Sequence, residues 1–357
     1  MKSVTNKTSL RRWVGTKGWP IPILLLITLV LNILALTLPF LEIHEALKKP
    51  IPYKLIHSVN LMWTAKLYLI AILILVFSII FPFAKLITLF FAWFMPWKST
   101  SRLKYLHAIE LLGKWSFMDI FVVILLIALT YKQQWISSTI HIGVYFFVGA
   151  ISLSMILSEI IVTIAKREAQ SEHPKRYVPN YIWLIREYFK VSWVVPVLAI
   201  LSGVALVQAL HANFLQIHQV FFVSRTYSIY NLGEMLTQLH LWVLLCVLVA
   251  TLGVIPLLRL AILLIGWVTP MRMNGHNLMR TVIESLSRWC MLDVFGLALF
   301  LIATEGKSLV KTEVLSGLYV VLVAIGLSYL LGAIAIAVFN SLTNRATLLD
   351  EESVDTQ

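Results

Sequence analysis

Read along the chain, apolar residues gather in eight blocks separated by short polar stretches. Four lie at roughly 19–40, 61–96, 115–131 and 141–165, and four more at roughly 193–212, 236–270, 289–304 and 314–340. Most run close to about 20 residues, the length of a helix that crosses a hydrocarbon core of roughly 30 Å. A backbone in hydrocarbon must satisfy its own hydrogen bonds, so the blocks predict helices. The blocks 61–96 and 236–270 are too long for one perpendicular span, since at about 1.5 Å per residue they approach 50 Å. A tilt or an extension out of the bilayer is expected, with a bend near Pro82 or Pro256.

The eight blocks are one set of four written twice. A shift of 174 residues carries Asp119 onto Asp293 with no gap. It also carries Trp19 onto Trp193, Pro22 onto Pro196, His44 onto His218, Tyr53 onto Tyr227, Tyr145 onto Tyr319 and Ser154 onto Ser328. Between Pro82 and Phe121, eleven of forty positions are identical to their partners, and three more keep a cation. The fold class that follows is an all-α integral membrane protein, a tandem duplication of a four-helix membrane domain with eight transmembrane helices. The domains divide as 1–172 and 173–357, joined by the charged segment 166–190 with Pro174 and Pro179. The loop 212–235, rich in β-branched and aromatic residues between Gln219 and Tyr230, predicts a short strand or hairpin outside the membrane. The matching loop 41–60, with Pro50 and Pro52, carries less of that signal.

Composition agrees. Hydrophobic residues make up 59% of the 357, charged ones 13%, and mean hydropathy is +0.87. A soluble domain is closer to about 45–50% apolar and about 25% charged. Soluble enzymes, disordered chains and disulfide scaffolds are excluded. The net charge of +12 would suit a nucleic-acid binder, but it has to be carried by loops. Nineteen Lys and Arg lie in the amino-terminal tail, the loops 97–114, 166–190 and 271–288 and the tail after 340, against seven in the opposite loops. By the positive-inside rule both termini are cytoplasmic. Four spans per half give both halves the same polarity. The basic start and first apolar block resemble a signal peptide, but the copy at 193–212 lies mid-chain, so a retained helix is expected. Cys246 and Cys290 form no CxxC pair and read as buried, inert thiols.

The repeated cassette carries the chemistry. It reads P-x-x-[KR] on the second helix, then P-[WM]-[KR], then E-x3-[KR]-W-x3-D-x-F at the entry to the third. The first copy is Pro82, Lys85, Pro96, Glu110, Lys114, Trp115, Asp119 and Phe121. The second is Pro256, Arg259, Pro270, Glu284, Arg288, Trp289, Asp293 and Phe295. Leu103, Leu106, Ile109 and Leu112 predict a short helix lying in the membrane interface on that apolar face. Glu110–Lys114 and Glu284–Arg288 are i,i+4 pairs that support a helix and anchor headgroups, or belong to a proton or headgroup path. Ionisable groups within apolar spans are costly unless paired or wet. A Lys85–Asp119 pair, echoed by Arg259–Asp293, would meet that cost. Against this, Ser116-x-x-Asp119 also reads as a capping box on a helix start. Lys66 is expected to snorkel, and Trp19, Trp93, Trp193 and Trp267 to form an aromatic belt. No nucleotide, zincin or serine-hydrolase motif occurs, so no enzyme, metal or cofactor is expected.

The W-S-F-M-D-I-F run at 115–121 and the W-C-M-L-D-V-F run at 289–295, each after P-x-x-[KR], resemble the paraquat-inducible protein A family. The resemblance implies a bacterial inner-membrane protein working with MCE-domain proteins, which build periplasmic tunnels for lipid between the inner and outer membranes. It implies Lys85, Asp119, Arg259 and Asp293 as the membrane-embedded polar positions. Many members carry CxxC zinc ribbons before each domain; this sequence has none, so metal binding is not carried over. The expected function is passage of phospholipid to or from an MCE tunnel. The alternatives are a secondary transporter of a small solute or ion, and a membrane scaffold for a periplasmic partner.

Overall fold

The computed structural model describes residues 9–45, 51–64, 66, 68–131, 136–172, 181–182, 193–218, 224–269, 271–305 and 312–355. Pro174, Pro179 and Pro270, and the aromatic run Gln219–Val223, lie outside them. Two compact units form. One comprises Met1–Lys175, Ile217–Val223 and Leu297–Thr312, and the other Arg176–Gln216, Ser224–Gly296 and Glu313–Gln357.

In the first repeat the helices are α1 (Leu10–Val14), α2 (Pro20–Thr37), α3 (Leu55–Thr64), α4 (Tyr68–Leu73), α5 (Phe81–Phe94), α6 (Ser99–Gly113), α7 (Met118–Thr130) and α8 (Ile142–Glu172). A π-helical segment, Ile74–Ile80, joins α4 to α5, so the span runs continuously over Ala71–Phe94. The second repeat repeats this order with α9 (Val194–His211), α10 (Ile229–Gln238), α11 (Trp242–Val249), α12 (Ile255–Val268), α13 (Met273–Trp289), α14 (Leu292–Glu305) and α15 (Gly317–Asp355). Its π-helical segment, Ala250–Val254, joins α11 to α12. Among the described residues, eight helices are long and apolar enough to cross a membrane. Their outward side chains, such as Leu26, Ile87, Ile200 and Leu258, are exposed without protein cover. Apolar surface on that scale requires hydrocarbon around it.

The long blocks 61–96 and 236–270 are each two elements rather than one tilted helix. The chain leaves α3 through Lys66 and α10 through His240, the only described non-glycine residues with positive φ, at 62° and 56°. This left-handed corner separates an amphipathic helix from the span that follows. In α10 that helix buries Ile229, Leu232, Met235 and Leu236, one face at helical spacing. Lys66 is exposed at its corner.

Short strands close the same end of each repeat. β1 (Leu41–Glu45) pairs antiparallel with β2 (Ile51–Tyr53) and with β3 (Ile136–Ile140), in register Leu41↔Tyr53 and Leu41↔Ile140. So the loop 41–60 carries strands too. A two-stranded pair joins β4 (Tyr181–Ile182) to β7 (Met271–Arg272). In the second repeat, β5 (Leu215–His218), β6 (Ser224–Tyr227) and β8 (Thr312–Val314) form a sheet in the order β6–β5–β8.

Beside each sheet the first and last helices meet through glycine. The Gly143 N–H donates to the Pro39 carbonyl at 3.2 Å, and the Gly317 N–H to the Asn213 carbonyl at 3.1 Å. A Cβ on either glycine would collide with that carbonyl. The two contacts are exact repeat equivalents. The first-repeat core joins Leu10, Ile21, Leu25, Leu89, Trp93, Leu106, Leu157 and Ile161 from five helices. Trp93 and its repeat partner Trp267 are therefore core residues, 0% and 1% exposed, and not part of an aromatic belt. Their position inside the bundle, not their residue type, decides this. Trp19 and Trp193 are the exposed pair. Cys246 is exposed and Cys290 half-buried, against the expectation of two buried thiols.

Candidate functional site

The site begins with an acceptor that proline leaves empty. In a π-helix the N–H of residue i bonds the carbonyl of i−5. The Phe81 N–H donates to the Val76 carbonyl and the Ile255 N–H to the Ala250 carbonyl, so the π register persists up to each proline. The next donors in that register would be Pro82 and Pro256, which have none. Among the carbonyls this leaves without a helix donor are those of Phe77 and Thr251. Both are taken by the entry of the third spanning segment. The Ser116 hydroxyl donates to the Phe77 carbonyl at 3.3 Å, and the Met291 N–H donates to the Thr251 carbonyl at 3.4 Å. The P-x-x-[KR] and W-x3-D halves of the cassette are thereby held together in both repeats. Trp115 packs on Phe77 with ring centroids 6.0 Å apart.

Ser116 is thus used across the bundle. The start of α7 has no side-chain cap, so the capping-box reading of Ser116 does not hold. Asp119 does lie in the first turn of α7 and Asp293 in that of α14, where a carboxylate suits the helix dipole.

From this shared frame the two repeats wire their charges differently. Lys85, 3% exposed, faces Glu110, and its Nζ lies over Gly113. Asp119, 5% exposed, faces Ser78 on the π segment, and its Oδ2 has no hydrogen-bond partner. The Lys85–Asp119 pair is not formed. Lysine on α5 reaches the end of α6, while Asp119 turns back to the π segment. In the second repeat Arg259 donates from Nη1 to the Ser328 hydroxyl at 3.0 Å, and its other terminal nitrogen lies over Gly332. Asp293 accepts from the Tyr329 hydroxyl at 2.5 Å and from the Val294 N–H at 3.0 Å. Arg259 and Asp293 meet neighbouring residues of α15 rather than each other. Glu284 accepts from Arg280 Nε at 2.8 Å, both about one-third exposed.

Single differences explain the rewiring. Arg280 stands where the first repeat has Leu106, so Glu284 has a cation four residues before it where Glu110 has a leucine. Gly332 stands where the first repeat has Ser158, which makes room for a guanidinium against α15. Tyr329 stands where the first repeat has Met155, so only Asp293 has a phenol to accept from.

The buried face of α6 is also unlike the expected one. Arg102, Leu106, Glu110 and Gly113, spaced by four, four and three, are all buried, whereas Leu112 is 42% exposed. Arg102 pairs with Glu168 of α8, both nearly without exposure, and also donates to the Trp97 carbonyl at 3.0 Å. Sequence reasoning missed this pair because both residues counted as loop charges. The spacing of Arg102, Leu106 and Glu110 on one helix face was the available signal. Lys114 and Trp115 lie in the 3-10 turn leading into α7, and Arg288 and Trp289 end α13, all four half-buried. Among the described residues no group of three His, Cys, Asp or Glu is placed to hold a metal ion.

No curated protein and no solved structure matches the chain. Residues 21–163, which hold the first cassette from Pro82 to Phe121, match the family model described as Paraquat-inducible protein A. That first repeat is thus similar to the paraquat-inducible protein A family.

Proposed function

We propose that the protein is the inner-membrane component of an MCE-type lipid transport system. It would pass phospholipid between the inner membrane and a periplasmic MCE-protein tunnel, toward or from the outer membrane, without enzymatic chemistry. The observation that carries this reading is the family match over the first repeat, whose relatives the motif resemblance associates with MCE-domain proteins. The buried Lys85, Glu110 and Asp119 within apolar segments support a polar path, because such groups are retained in membranes mainly for function. The loop cations support cytoplasmic termini, with the sheets on the periplasmic side.

The protein purified in gentle detergent is expected to carry phospholipid and to co-elute with an MCE-domain protein. Finding neither overturns the reading. Asp119→Asn is expected to abolish growth rescue under outer-membrane lipid stress at normal expression; unchanged rescue removes Asp119 from the mechanism. Reporter fusions at both termini are expected to read cytoplasmic. One observation favours a secondary transporter: each repeat interrupts a spanning helix with a π segment beside buried charge, as transporters interrupt theirs at binding sites. Solute flux in proteoliposomes without lipid transfer would select that reading.

A further inference from the structure

One wall of the second repeat is open where the first carries larger side chains. Between α9 and α12 runs a groove of about 490 Å³, within the range of roughly 300–1,000 Å³ that small-molecule sites occupy. Ala199 and Leu260 line it from the buried side, and Ile200, Val204 and Leu257 line it from the exposed side. The opening is a matter of side-chain size. A Cβ at Gly203 would meet only Leu260 Cδ1, at 3.8 Å. Leu25, Leu29 and Ile87 stand in the first repeat where the second has Ala199, Gly203 and Ala261.

Three features point to the occupant. The groove opens on a face of exposed apolar side chains, so hydrocarbon bathes it. Its length is that of one leaflet. From Ala199 to Gln208, α9 rises about 14 Å at about 1.5 Å per residue, close to half of a hydrocarbon core about 30 Å thick. A helix from a second copy would instead need a complementary face along all of α9. Finally, the end nearest the sheet turns polar. Gln208 lines it there, an exposed amide near the end of an apolar span. Beside it in sequence, His211 stacks on Tyr230, with ring centroids 5.6 Å apart and planes 17° from parallel. His211 Nδ1 lies 3.0 Å from the Val207 carbonyl oxygen, which leaves Nε2 for a ligand. Both rings belong to exposed residues. The first repeat has Leu34, Thr37 and Ile56 at these three positions. The groove and its polar end thus occur together, in one repeat.

We propose that the second repeat carries a phospholipid seat. One acyl chain lies in the groove between α9 and α12, and the headgroup rests at the sheet end, where the Gln208 amide and the Tyr230 hydroxyl donate to phosphate oxygens. His211 holds the Tyr230 ring in place and offers Nε2 to the rest of the headgroup. The seat rests on the proposed function for its purpose and names where the lipid is held. Its occupancy is measured without an MCE-domain protein or any transfer, so the two fail separately.

The test is photolabelling of the full chain. The protein is placed in nanodiscs of phosphatidylethanolamine and phosphatidylglycerol, doped with phosphatidylethanolamine that carries a diazirine in its acyl chain. After irradiation, labelled peptides are read by mass spectrometry. Label on residues 199–208 and 257–264 is expected to exceed that on the equivalent 25–34 and 83–90 by about tenfold, the ratio that about 1.4 kcal/mol of binding supports. Gly203→Leu and Ala261→Ile each install the first-repeat residue, from opposite walls, and each is expected to remove the excess. Gln208→Leu combined with His211→Thr is expected to lower it several-fold. A fatty alcohol with the same diazirine chain and no phosphate is expected to show no excess. Equal labelling of the two repeats in the wild type overturns the seat. So does an excess that survives both groove-filling variants, or one that the fatty alcohol reproduces. A wild-type dimer that becomes a monomer in Gly203→Leu by native mass spectrometry gives the groove to a second copy and overturns the seat as well.

Discussion

The two repeats share a backbone device and differ in what they hang on it. In both, proline frees a carbonyl on the second span, and the entry to the third span takes it. In both, a glycine at the start of the last helix lets it touch the end of the first. The charged side chains do not repeat. The first repeat buries Lys85 against Glu110, buries Asp119 against Ser78 and adds the Arg102–Glu168 pair. The second gives Arg259, Asp293 and Glu284 side-chain hydrogen-bonding partners. A duplicated frame can thus keep its main-chain contacts while the side chains of its two halves are wired to different partners. Main-chain contacts tolerate most substitutions; charge pairs change with a single neighbour.

The largest test of this contrast is Glu168→Ala. It removes the carboxylate that pairs with buried Arg102 and is expected to cost about 3–5 kcal/mol, read as thermal unfolding in detergent. The double variant Arg102→Met with Glu168→Leu is expected to recover most of it, because the second repeat does without the pair, having His276 and Leu342 there. A harmless Glu168→Ala would break the contrast. Next come Gly143→Ala and Gly317→Ala, each adding a Cβ against a main-chain carbonyl. Both are expected to destabilise, by about 1–3 kcal/mol and by similar amounts. Unequal losses would show that the frame is not equally used.

Smaller effects sharpen the picture. Lys66→Gly and His240→Gly relieve a left-handed backbone and are expected to stabilise by about 1 kcal/mol each, a gain visible as a raised melting temperature. A loss there would mean that the side chain, not the corner, matters. Smallest is Arg280→Leu, which installs the first-repeat residue beside Glu284. The pair is partly exposed, so the cost is expected to be about 0.5 kcal/mol or less. A cost of several kcal/mol would show that the second repeat also depends on a tightly held charge.

Much of the fold was legible in the residues. Apolar blocks and a gapless shift pointed to eight helices in two sets, because hydrocarbon allows little else. The cassette residues were legible as well, since proline, tryptophan and aspartate recur at fixed spacing. Their partners were not. Lys85 and Asp119 looked like a pair because both carry charge within apolar segments, yet a π turn and the packing of α6 send them to different neighbours. Arg102 and Glu168 looked like loop charges because α8 continues past its apolar stretch.

By itself, then, the sequence determined the membrane environment, the duplication and the positions at which proline must leave a carbonyl without its donor. These follow from hydropathy, identity and covalent structure, which need no tertiary context. Only the tertiary structure decided where those carbonyls go, which tryptophans are core and which charge meets which. Those outcomes depend on contacts between segments far apart in the chain, and a single substitution such as Leu106 to Arg280 is enough to redirect them.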